Sequence, residues 1–149
     1  MQLTAKVDNE ELAKSKLAAV PGKVRDKVLA AMKRGGFMIE ADAKRNCPVD
    51  TGRLRASITT NWTSSGMARG RISSPSRKTK ANDAVGQPGS GETFSVVVGS
   101  NVEYAKHVEF GFQKGKRPRG VGQMPWLYPA YQKNYNKILS MIKAALRQT

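Results

Sequence analysis

Apolar residues recur at helical spacing through the chain from residue 20 to residue 46. Val20, Val24, Val28, Met32, Ile39 and Ala43 form one stripe, and Lys23, Arg25, Lys27, Lys33 and Arg34 fall mostly off it, the pattern of an amphipathic helix. The spacing predicts a helix over 21–46, about 39 Å long at 1.5 Å per residue. Gly35-Gly36 costs that helix about 1–2 kcal/mol in propensity; a kink or close helix–sheet crossing is one reading of the pair, a tolerated weak point the other. The helix must end before Pro48, which has no N–H to donate and pushes Cys47 out of the α region. The period then changes. Leu54, Ala56 and Ile58 alternate with Arg53, Arg55 and Ser57, so a strand is expected from Arg53 to about Trp62. Between helix and strand, Asp50-Thr51-Gly52 supplies turn chemistry, with a carboxylate that can bond backbone N–H groups two residues on and a glycine free to take positive φ.

The rest of the chain reads in shorter pieces. Residues 1–7 predict a short strand, and Asp8 or Asn9 caps a short helix with Leu12, Leu17 and Val20 on its apolar side. Met67–Ser73 is a poorly patterned hairpin partner. Thr93–Ser100 is a clear strand, with Phe94, Val96 and Val98 on one face; Val97 on the opposite face implies that this side too is partly covered. Glu103–Phe110 predicts one or two helical turns ended by Gly111. Pro125 and Pro129 lead into a final helix to about Arg147, with Tyr131, Tyr135, Ile138, Ile142 and Ala145 on one stripe, Leu139 and Leu146 beside it, and Lys133, Lys137, Lys143 and Arg147 on the solvated side. The stretches 64–92 and 111–123, short of large apolar residues, read as flexible basic loops. The expected fold is α+β in a single domain, 1–149: a small, mainly antiparallel sheet packed by a long N-terminal helix and a C-terminal helix, with long basic loops.

Composition adds one strong statement. Lys and Arg number 26 against 11 acidic residues, a net charge of +15, which attracts polyanions or acidic protein surfaces and opposes self-association without a neutralising partner. Arg69, Arg71, Arg77, Lys78 and Lys80 lie in a stretch with no acid, as do Lys114, Lys116, Arg117 and Arg119. These loops are either solvated excursions or contacts to DNA phosphates or an acidic neighbouring subunit. Aromatic residues are not interleaved with these cations, which argues against stacking on single-stranded bases. The single cysteine, Cys47, excludes an internal disulfide and suits a reducing compartment; it reads as a buried structural thiol. The N-terminus has no apolar signal region, and no run approaches transmembrane length, which reads as a soluble protein made in the cytoplasm.

Catalytic chemistry is not apparent. His107 stands alone near Glu103 and Glu109, Gly120-Val121-Gly122 lacks a nucleotide-site context, and no acid–base, cofactor or metal-ligand set emerges from the sequence. Trp126, Tyr128 and Tyr131 anchor the last helix to the core, with a subunit interface as a further role. Glu109 is placed to pair with Arg53 or Arg55.

Three segments, in order, carry a family resemblance. Cys47-Pro48-Val49-Asp50-Thr51-Gly52-Arg53-Leu54-Arg55-Ala56-Ser57-Ile58, Val102–Gly111 (with Tyr104-Ala105, Val108-Glu109 and Gly111) and Pro125-Trp126-Leu127-Tyr128-Pro129-Ala130 together resemble the tail-completion, or head–tail joining, proteins of long-tailed double-stranded DNA bacteriophages, with Trp126 where Phe is usual. The resemblance spans roughly residues 20 to 146. It implies a structural virion protein of the tail or neck, assembled in the host cytoplasm: a ring, typically a hexamer, joining the tail tube to the head connector or adaptor and leaving a channel for DNA. It implies no reaction, no cofactor and no membrane. Pro48, Asp50, Thr51, Gly52, Leu54, Tyr104, Glu109, Gly111 and Pro129 would shape the core fold. Arg53, Arg55, Trp126 and the nine loop cations would meet neighbours or face the lumen. The alternatives are a tail-terminator or minor tail component, or a basic double-stranded DNA-binding protein.

Overall fold

The computed structural model of the chain describes residues 2–3, 22–64, 67–68, 83–85, 94–111 and 123–147. The expected helix over 8–20 and the nine loop cations lie outside these residues. Helix α1 runs Gly22–Asn46, α2 Arg53–Ser57, α3 Ala105–Phe110 and α4 Tyr128–Arg147. Strands β1 (Gln2–Leu3), β2 (Thr59–Ser64), β3 (Met67–Ala68) and β4 (Phe94–Gly99) form one sheet in the order β1-β4-β2-β3. Every neighbouring pair is antiparallel, and the longest runs from Thr59↔Gly99 to Ser64↔Phe94. The fold is α+β, as expected.

The glycine pair in α1 makes two close crossings in adjacent residues. A Cβ at Gly36 would stand 2.7 Å from Thr60 Cγ2 and 2.8 Å from Val96 Cγ1, and one at Gly35 would stand 2.7 Å from Ile138 Cγ1. Gly36 therefore lays α1 on the sheet, while Gly35, one step round the helix, seats α4 against it. Polar groups fix the same two contacts. Thr60 Oγ1 donates to Glu40 Oε2 at 2.7 Å. Asp42, buried on α1, accepts from Asn134 Nδ2 (2.7 Å), Lys133 Nζ (3.2 Å) and its own helix's Arg45 Nη1 (2.9 Å). The Asn134 hydrogen bond is the main influence holding the Asp42 carboxyl below its ordinary value, against burial, which raises it; Lys133 and Arg45 add to the lowering. Asn134 thus lies at the centre of the buried face of α4, while Tyr135 on the expected stripe and Leu139 beside it are exposed.

Two expectations are corrected here. Arg53–Ser57 is a helical turn and a half, and the strand begins only at Thr59. The buried side chains are Leu54, Ser57 and Ile58, a three- and four-residue spacing, while Ala56 faces out. Gly52 opens this turn at φ 80°, and the turn's hydrogen bond comes from Thr51 Oγ1, which accepts from Arg53 N at 3.4 Å, rather than from Asp50. Second, within the stretch read as loop 64–92, residues 83–85 are held in place. Asp83 and Val85 are buried, Ala84 bridges Ser100, and Val85 N donates to Thr59 Oγ1 at 3.0 Å. Val97 is also buried, so both faces of β4 are covered, as its position on the polar face implied.

Candidate interaction end where three segments meet

The three segments that carry the sequence motifs converge. Cys47, Leu54, Ile58, Val102, Ala105, Trp126, Leu127 and Ala130 belong to one buried cluster, with Tyr104 and Val108 packed against it. Pro48 ends α1 as expected: Cys47 N still reaches Ala43 O at 2.9 Å, and the chain then leaves the helix. Asn46 Nδ2 donates to Trp126 O at 3.4 Å, tying the end of α1 to the start of α4. The Ser57 hydroxyl gives its one proton to Leu54 O (2.7 Å), so its 2.6 Å contact with Ser100 Oγ is donated by Ser100; Ser100 Oγ accepts in turn from Val102 N at 3.2 Å.

At the centre is Glu109, 1% exposed. Its Oε2 accepts from Trp126 N (2.7 Å) and Leu127 N (2.9 Å), and its Oε1 from Tyr128 N (2.8 Å). These are orphan donors at the opening of α4, which no intrahelical carbonyl can satisfy, and the carboxylate sits at the positive end of the helix dipole. The expected pairing of Glu109 with Arg53 or Arg55 is therefore corrected: Glu109 caps a helix that begins nineteen residues downstream. Gly111, at φ 81°, turns the chain away immediately afterwards, and Met124 N donates to Val108 O at 3.0 Å where the chain returns.

Arg53 has a different partner. Its Nε and Nη2 donate to the two oxygens of Asp83 at 2.9 and 2.8 Å, a bidentate pair that fastens residue 83 to the α2 corner. Arg55 is exposed. Trp126 is 0% exposed, which places it in the core, with no surface to offer a neighbour. Its Nε1 is buried without a hydrogen-bond partner among the described residues. Cys47 is buried, and desolvation pushes its thiol up to about 11, with Arg55 pulling weakly the other way.

Four large apolar side chains are exposed beside this buried junction. Val49 (61% exposed), Phe110 (66%), Met124 (44%) and Tyr128 (51%) are carried by the residues just after α1, at the end of α3 and at the start of α4. The sequence pattern had not singled out Val49, Phe110 or Met124; the only signal was their place beside the motif residues. Among the described residues, no group of three or more His, Cys, Asp or Glu could hold a metal ion, and no helix is long and apolar enough to cross a membrane.

The motif residues are thus spent on helix capping and core packing, with apolar groups exposed beside them. Searches of curated proteins and of solved structures gave no match. A family model described as "Bacteriophage HK97-gp10, putative tail-component" matches residues 10–111, which takes in α1, the α2 corner, β2, β4 and the Glu109–Gly111 turn. The chain belongs to this HK97-gp10-like family of bacteriophage tail components.

Proposed function

We propose that the chain is a ring-forming tail-completion, or neck, subunit that joins the tail tube to the head connector. The observation that carries this reading is the apolar end formed by Val49, Phe110, Met124 and Tyr128, held rigid by the Glu109 cap beneath it. Exposed aromatic and Met side chains on a fixed scaffold are the composition of protein–protein contacts. A closed ring requires one patch to meet a different patch on the next subunit. The basic segments 64–92 and 111–123 supply further contacts or face a lumen through which DNA passes. The role is structural, with binding energy in place of catalysis.

Light scattering on the purified chain, alone and mixed with tail tubes and with DNA-filled heads, tests this. Rings that cap tail ends and enable head joining, abolished by Phe110→Asp without loss of fold, are the expected result. A monomer that ignores both particles, and binds duplex DNA with an affinity falling steeply with salt, overturns it in favour of a DNA-binding protein.

A further inference from the structure

We propose that the outward face of α1 is the docking site for a segment of another protein, apolar at its centre and acidic at its edges. Ala30, Lys33, Arg34, Phe37, Met38 and Ala41 form one open face of α1, on the side turned away from α4. Phe37 is 50% exposed, although its neighbour Gly36 is pressed against the sheet. Its ring stands edge-on to Trp62, with centroids 5.9 Å apart and an interplanar angle of 76°. Lys33 Nζ lies 4.7 Å from the Trp62 ring centroid, within cation–π range. The aromatic pair is thus positioned in advance, so binding costs it little side-chain entropy, and Met38 beside it adapts to the shape of what lies against it.

Charge selects the occupant. On this face α1 presents Lys33 and Arg34, while its carboxylates Glu40 and Asp42 are already paired, Glu40 with Lys44 and Thr60 and Asp42 with Arg45, Lys133 and Asn134. Among the described residues that form the face, two are cations and none is an acid. A second copy presenting this same face brings Lys33 and Arg34 against Lys33 and Arg34, like charge to like charge. Duplex DNA would answer Lys33 and Arg34 but has nothing to place over Phe37, Met38, Ala30 and Ala41. A polypeptide with apolar side chains flanked by Asp or Glu answers both. This inference does not depend on the ring or on the station in the neck.

The test places a photo-crosslinking benzoylphenylalanine at Phe37, and separately at Ala41, in the full chain during phage assembly, and sequences the cross-linked peptides from finished particles. The expected result at either position is a cross-link to a different virion protein, within a segment combining apolar residues with Asp or Glu. Reversing both cations (Lys33→Glu with Arg34→Glu) should lower its yield about tenfold. Cross-links to this chain itself, including its own residues 4–21, cross-links to DNA, or no cross-link in particles that contain the chain overturn the proposal, as does a yield that ignores the charge reversal. Failure of the ring reading would show separately, in the mass of the unmodified chain.

Discussion

Replacing Glu109 probes the contact on which the junction of the three segments rests. The carboxylate satisfies three backbone N–H groups, of Trp126, Leu127 and Tyr128. In Glu109→Ala all three lose their acceptor. Trp126 and Leu127 are 0% exposed, so water does not readily replace it there, whereas the N–H of the exposed Tyr128 has solvent nearby. A buried donor left without a partner costs about 1–3 kcal/mol, and two such donors, with about 0.3–1 kcal/mol of lost charge–dipole attraction, give a loss of about 2–7 kcal/mol, with its middle near about 4 kcal/mol. That is a large part of the 5–15 kcal/mol by which a domain is typically stable. Glu109→Gln keeps one oxygen. Set at the Oε2 position, it still accepts from Trp126 and Leu127, and only the bond to Tyr128 and the charge are lost, at a cost of about 1–2 kcal/mol. Urea unfolding at neutral pH, followed by far-UV circular dichroism, measures both. With m of about 2 kcal/mol/M, the midpoint should fall by about 2 M for Ala and by less than about 1 M for Gln, at unchanged m. An alanine variant within about 0.5 kcal/mol of the parent chain would refute the capping role. A glutamine variant as damaged as the alanine one would show that charge outweighs acceptor geometry.

Three further outcomes follow from the same geometry. Gly36→Ala gains about 1 kcal/mol of helix propensity but drives a methyl into the β-branched side chains of Thr60 and Val96; a net loss of about 1–2 kcal/mol is expected in the same urea experiment, and a stabilised variant would show that α1 can lift off the sheet. Trp126→Phe removes an indole N–H that has no partner among the described residues and should cost less than about 2 kcal/mol, whereas Trp126→Ala, which empties a fully buried site, should cost about 3–5 kcal/mol; similar losses for both would mean that the N–H is bonded. Cys47, with its thiol raised from 9.0 to about 11, stays neutral in the folded chain while the unfolded chain ionises. Its contribution to stability is therefore complete below about pH 9 and lost as pH rises toward about 11. Folded protein should react with iodoacetamide far more slowly than urea-unfolded protein at pH 8, and equal rates would sink the assignment.

The sequence by itself determined the elements long enough to declare a period. Helix α1 repeats its apolar positions over 25 residues and is stopped by Pro48, so its bounds were legible to within one residue. The end of α4, the strand β4, the positive φ of Gly52 and the stop at Gly111 followed from equally local rules, because each is set by a residue's own backbone preferences or by its near neighbours. Arg53–Ser57 failed that test for a physical reason. Over five residues an alternation and a helical spacing share most of their positions, and only burial of Ser57 against Ser100, 43 residues away, decides between them. The same limit applied to the charged groups. Glu109 and Arg53 were recognisable as residues that need partners, but the candidate site is made by pairings across 17 to 19 and 30 residues, and no local preference encodes which donor will arrive. The exposed Val49, Phe110, Met124 and Phe37 carry the strongest case of all. In sequence they are ordinary apolar residues beside buried ones, and only the packed chain, with its core already filled by Trp126, Leu127 and Ile58, leaves them outside for something else to cover.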